Sequence, residues 1–109
     1  MDWAHAASYF FAGAFLTNAI PQLVSGLMGR PFQSPFASPP GKGLSSSTVN
    51  FLWGFFNAAV GYGLIAGVGT FDPRSAPHVV AVASGSLLIG FICARMFGRL
   101  HGGDARKRQ

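Results

Sequence analysis

Residues 75–94 read SAPHVVAVASGSLLIGFICA and contain no Asp, Glu, Lys or Arg. As a helix rising about 1.5 Å per residue, a segment of this length spans about 30 Å, the thickness of a bilayer's hydrocarbon core. Two further windows without charged residues occupy 3–29 and 43–71. The sequence therefore predicts an all-α, polytopic integral membrane protein with three transmembrane helices.

The boundaries of the spans follow from the charged residues and from the breaks between the apolar windows. We expect spans over about 6–28, 46–71 and 77–97, followed by a basic tail over 99–109. With 109 residues, half of them hydrophobic, the chain has room for a single membrane domain.

A proline-rich first loop separates the first two spans. It has an internal pattern of period four, and it contains four prolines: Pro31, Pro35, Pro39 and Pro40. Proline has no backbone N–H and fixes its own φ angle, so a helix is excluded here. An extended, polyproline-type path is favoured, and the loop forms either a stiff hairpin at the membrane interface or a partner-docking or gating loop.

The Lys and Arg residues predict the orientation in the membrane. Three spans place the N-terminus and the second loop on one side, where Arg74 is the one basic residue. The other side carries Arg30, Lys42, Arg95, Arg99, Arg106, Lys107 and Arg108. Because basic residues near span ends remain in the cytoplasm, we expect the N-terminus outside and the C-terminus inside, in a bacterial inner membrane.

The same basic residues predict a lipid partner rather than nucleic acid. Separated by membrane spans, they form no continuous basic stripe of the kind that binds a phosphate backbone. Those at the end of the third span are expected to contact anionic lipid headgroups on the cytoplasmic side: Arg95, Arg99, Arg106, Lys107 and Arg108.

Four amide side chains lie within the predicted spans, and they permit two interpretations. Asn18 and Gln22 belong to the first span, and Asn50 and Asn57 belong to the second. Polar groups inside a membrane find partners within the protein. They are therefore either interhelical hydrogen bonds or the lining of a polar cavity for a neutral solute. Pro21, between Asn18 and Gln22, predicts a kink or hinge.

Small residues recur at helical spacing on the second and third spans. Gly54 and Gly61 share a face with Asn50 and Asn57, and Ser86 and Gly90 mark a face of the third span. Faces of small residues let membrane helices approach closely. We therefore expect these faces to pack, and we expect the chain to form a homo-oligomer or part of a larger membrane complex.

The spans contain no titratable acid or Lys, and the chain shows no nucleophile–base pattern or metal-ligand spacing. Proton relays and ion-coupled transport normally use such residues within the membrane. We therefore predict a protein that is not an enzyme, with no cofactor and no metal site.

Several short motifs resemble the PQ-loop pattern of the SemiSWEET family. These are Pro21-Gln22, then Gly43-Leu44-Ser45, then Trp53 and Tyr62-Gly63. The resemblance implies a three-span bundle that dimerises and passes small sugars, with Pro21 and Gln22 as its hinge. The segment 31–37 followed by Leu52-Trp53-Gly54 is equally similar to small bacterial membrane proteins with no assigned role.

Two functions follow as hypotheses. In the first, the chain is an accessory or structural subunit that packs helices in a membrane assembly. In the second, it is a minimal dimeric SemiSWEET-like transporter or channel for a small neutral polar solute.

Overall fold

The computed structural model describes residues 2–103, and three long α-helices form most of it. Its elements are α1 (Trp3–Leu27), β1 (Phe32–Gln33), β2 (Leu44–Ser45), α2 (Ser47–Ala66) and α3 (Ala76–His101). All three helices are long and apolar enough to cross a membrane. The predicted number and order of helices are therefore confirmed.

Each helix begins at a polar side chain that accepts a backbone hydrogen bond. Asp2 caps α1 by accepting the His5 N–H at 2.9 Å, and this bond lowers the pKa of the Asp2 carboxyl. The hydroxyl groups of Ser46 and Ser75 accept N–H bonds in the same way at the starts of α2 and α3. Such caps satisfy backbone donors that the first turn of a helix leaves without partners.

Two helices end at glycines that do not coincide with the ends of the expected spans. α2 ends at Ala66, before residue 71, because the chain bends over 67–69, where Gly69 has a φ of +58°. α3 continues past residue 97 to His101, where Gly102 ends it with a φ of +79°. Only glycine adopts such positive φ angles without strain. α1 runs through Pro21 as one helix.

α1 is the central helix of the structure. It packs against both α2 and α3, whereas α2 and α3 make almost no contact with each other. Ser8 of α1 reaches the backbone of Leu64, near the end of α2, so α1 and α2 run antiparallel. Tyr9 of α1 contacts His78 near the start of α3, and Asn18 contacts Cys93 farther along α3, so α1 and α3 run parallel.

The contact between α1 and α3 depends on two glycines that pattern analysis did not single out. A Cβ atom at Gly85 would overlap the Phe10 carbonyl oxygen, and one at Gly13 would overlap the Val82 carbonyl oxygen. The Ser86 hydroxyl donates to the Gly13 carbonyl at 3.1 Å. The two backbones therefore meet directly, as small residues in membrane helices allow.

Glycines of α2 form the contact with α1. A Cβ atom at Gly54 would lie 2.8 Å from the Leu23 backbone nitrogen, and one at Gly61 would lie 2.6 Å from Leu16 Cγ. Gly90 of α3 is different, because a Cβ there would meet only Thr17 Cγ2, at an ordinary 3.7 Å. Close approach thus requires glycine at Gly54 and Gly61 but not at Gly90.

Loop 1, residues 28–46, folds back on itself. β1 and β2 pair antiparallel, with Phe32 opposite Ser45. Between the strands, the Gly41 N–H donates to Ser34 O at 2.9 Å, and the Gly43 N–H donates to Pro39 O at 2.7 Å. The expected hairpin is therefore present. Between its strands the chain forms turns instead of the expected extended path, because residues other than proline supply the N–H groups that close them.

Gly85→Ala should destabilise the protein far more than Gly90→Ala. The added methyl group at residue 85 meets a backbone carbonyl that no side-chain rotation can move, and overpacking of this kind costs about 1–3 kcal/mol. Thermal unfolding followed by circular dichroism in one detergent measures both variants. Equal unfolding temperatures for the two variants would show that α3 does not pack through Gly85.

Candidate functional site

The amide side chains inside the structure form two separate groups. The Asn18 cluster consists of Asn18, Asn57 and Cys93, near the middle of the three helices. The loop cluster consists of Gln22, Gln33 and Asn50, where α1 and α2 meet loop 1. The four amides named from the sequence are therefore divided between two places rather than gathered in one cavity.

Asn18 connects all three helices. Its Nδ2 donates to Asn57 Oδ1 at 3.2 Å, and its Oδ1 accepts a weak bond from Cys93 Sγ at 3.7 Å. Asn57 Nδ2 in turn donates to the Trp53 carbonyl within α2 at 2.8 Å. Both the nitrogen and the oxygen of each amide thus have a partner within the protein.

A groove of about 350 Å³ lies beside the Asn18 cluster, between α2 and α3. It exists because α2 and α3 flank α1 without meeting. Its walls are largely aromatic and aliphatic, and two amides supply its polar atoms. The lining residues are Phe10, Phe11, Ala14, Phe15, Asn18, Asn57, Leu88 and Ile89.

The loop cluster attaches loop 1 to the helices. Gln22 Nε2 donates to the Gln33 carbonyl at 3.0 Å, and Asn50 Nδ2 donates to the Ser45 carbonyl at 3.1 Å. Asn50 Nδ2 also lies 3.4 Å from the Arg30 carbonyl. Side chains of α1 and α2 therefore bind the backbone of both strands of the hairpin.

The Gln33 side chain connects the loop cluster to His101, and neither residue was identified from the sequence. Gln33 Oε1 lies 2.8 Å from His101 Nε2. The His101 ring stacks on Phe32 at 5.3 Å between centroids, and Phe32 also meets Phe97 edge-on. The end of α3 is thereby fastened to loop 1. His101 lies beyond residue 97, where the predicted third span ends, so the sequence provided no reason to expect this contact.

The opposite end of the molecule is closed around Tyr9. This side chain is fully buried, and its hydroxyl donates to the Val68 carbonyl at 2.8 Å. Its ring makes edge contacts with Phe71 and His78, each at 5.1 Å between centroids. The turn after α2 and the start of α3 thus pack on α1 through one aromatic residue.

Basic residues line a shallow surface hollow near the end of α3. The Arg95 guanidinium lies 5.7 Å from the centre of the Phe91 ring. The hollow measures about 470 Å³ and combines Arg95 and Arg99 with Phe91, Ile92 and Met96. Arg106, Lys107 and Arg108 lie outside the described residues.

The chemistry available at these places is hydrogen bonding and apolar contact. Within residues 2–103, the structure contains no group of three or more His, Cys, Asp or Glu side chains that could hold a metal ion. The two clusters offer amide groups and one thiol group. Such groups hold helices and loops together, or bind uncharged polar molecules.

Comparisons with protein-family models, with curated proteins and with solved structures found no match to this chain.

A double-mutant cycle measures the bond between Asn18 and Asn57. We expect Asn18→Ala and Asn57→Ala to be coupled by between about 0.6 and 2 kcal/mol, the range for side-chain hydrogen bonds in membranes. Reversible unfolding in mixed micelles provides the free energies of unfolding. The control cycle pairs Asn18→Ala with Asn50→Ala, which share no partner and should be additive. Equal coupling in both cycles would contradict the assigned contact.

Proposed function

We propose that this chain is a non-enzymatic, three-span membrane protein that serves as an accessory or structural subunit of a membrane assembly. The observation that carries the proposal is the use of Asn18, whose amide is bonded on both sides to neighbouring helices. An amide that joins three helices stabilises a packed scaffold. In a passage for a solute, the same amide atoms would instead have to be available to the solute.

The outer surface supports association with other helices. Large apolar side chains are exposed along α2 and α3, including Phe55, Tyr62, Leu87 and Phe91. A bilayer accommodates such a surface with lipid, but the groove between α2 and α3 also offers a concave seat for a further helix. Either a second copy of this chain or a different subunit would complete the bundle there.

The proposed orientation places the loop 1 end in the cytoplasm and the N-terminus outside, in a bacterial inner membrane. Loop 1, which carries Arg30 and Lys42, meets the end of α3, which carries Arg95 and Arg99. The described basic residues other than Arg74 therefore share one end of the molecule, the arrangement typical of a cytoplasmic face. There the hollow at Arg95 and Arg99 suits the phosphate of an anionic lipid.

The groove also favours one alternative, a minimal dimeric transporter or channel for a small neutral polar solute. A passage of this kind needs polar groups beside an accessible volume, and the groove has Asn18 and Asn57 on its surface. In this alternative, a second copy of the chain would close the groove. The solute would then replace the bond between the two asparagines.

Purification of the full chain in native nanodiscs, followed by mass spectrometry, separates the two proposals. The subunit proposal predicts co-purifying membrane proteins in stable proportion to the chain. The transporter proposal predicts a clean homodimer, together with uptake of small neutral solutes into proteoliposomes that Asn57→Ala reduces. A homodimer with such uptake would overturn the subunit proposal.

Membrane-impermeant maleimide tests the orientation on intact bacterial cells that express the chain. In a Cys93→Ala background, Thr70→Cys in the second loop should be labelled from outside. Ser38→Cys in loop 1 should be labelled only after the cells are permeabilised. Both positions are exposed in the structure, so the reversed labelling pattern would contradict the orientation.

A further inference from the structure

Two buried amides of the loop cluster each keep one oxygen atom without a hydrogen-bond partner. These atoms are Gln22 Oε1 and Asn50 Oδ1. Gln22 is only 4% exposed and Asn50 is fully buried. Buried polar atoms in proteins are almost always hydrogen-bonded, to the protein or to ordered water, and an exception calls for a ligand or another explanation.

The hydrogen bonds of the amide nitrogen determine how each of these two amide groups is oriented. Gln22 Nε2 donates to the Gln33 carbonyl, and Asn50 Nδ2 donates to the carbonyls of Arg30 and Ser45. Turning either amide over would place an oxygen against a carbonyl oxygen and break these bonds. The two side-chain oxygens therefore remain as the groups that need a donor.

Asn57 shows that the missing donor is specific to this location. Asn50 and Asn57 lie two helical turns apart on the same face of α2, and both are buried. Asn57 Oδ1 accepts from Asn18, and Asn57 Nδ2 donates to Trp53, so both atoms of this amide have a hydrogen-bond partner. Asn50 has equal burial but an oxygen with no partner.

The two oxygens belong to the same helix–helix contact. A Cβ atom at Gly54 would lie 3.1 Å from Gln22 Cβ, so Gln22 packs against α2 beside Gly54. Asn50 precedes Gly54 by one helical turn. Both side chains also bind the two strands of the loop 1 hairpin. Gln22 and Asn50 thus both belong to the junction of α1, α2 and loop 1, and their unpartnered oxygens are buried there.

We propose that this junction is a binding site for internal water, whose O–H groups donate to Gln22 Oε1 and Asn50 Oδ1. Water carries two donors, and internal water typically bonds to polar groups that the protein leaves without partners. The site would hold loop 1 to the helix pair through hydrogen bonds that the protein alone does not supply. The inference is independent of the proposed function.

A monovalent cation fits the same oxygens less well. The described carboxylates, Asp2 and Asp72, lie at the other end of the helices, and the nearby charges on Arg30 and Lys42 are positive. Burying an ion without a counter-charge is costly. The adjoining carbonyls of Gln33 and Ser45 already accept bonds from the amides.

Solid-state NMR of the full, unmodified chain in lipid bilayers tests the site directly. Magnetisation is transferred from water protons to the side-chain amides of Gln22, Asn50 and Asn57. We expect the transferred signal to build up several-fold faster at the Gln22 and Asn50 amides than at the Asn57 amide. Asn57 serves as the control within the same molecule. Equally slow build-up at all three residues would overturn the proposal.

Exchange of the salt distinguishes water from a bound cation. The thermal unfolding temperature of the unmodified chain is measured in sodium, potassium and choline chloride at one ionic strength. A water site predicts no difference among the three salts. A higher unfolding temperature in sodium or potassium, abolished by Asn50→Leu, would overturn the water assignment in favour of a cation.

Discussion

The structure depends on how closely α2 and α3 approach α1. Each approach occurs where a side chain is missing, at Gly54 and Gly61 on one side of α1 and at Gly85 on the other. Because the backbones meet directly, an asparagine on α1 is long enough to reach partners on both neighbours. Larger residues at those glycines would separate the helices and leave the Asn18 amide without its partners on α2 and α3.

The charge-free windows were sufficient to predict three helices, because a bilayer admits few other structures and each window has the length of a span. They were not sufficient to predict which helix is central. Small residues recur at helical spacing on the second and third spans, and spacing alone does not show which two faces meet. Gly13 and Gly85 make the closest contact between α1 and α3, yet Gly90 fitted the repeat of small residues better.

The candidate site was only partly predictable for a similar reason. The sequence identified every amide inside the helices, since such residues are rare there and need partners. Whether those partners are helices or loops depends on the fold of loop 1, whose prolines did not predict the turns between its strands. The hairpin brings backbone carbonyls to Gln22 and Asn50. Gln33 and His101 meet only because loop 1 and the end of α3 lie at the same end of the molecule.

The central claim is that one copy of the chain joins its three helices through Asn18. Solid-state NMR contacts from the labelled Asn18 side chain to Asn57 and to Cys93 in lipid bilayers measure this most directly. Dilution with an excess of unlabelled chain separates contacts within a chain from contacts between chains. We predict that both contacts persist at the same intensity per labelled chain. Loss of both contacts on dilution would show that Asn18 instead joins two copies of the chain.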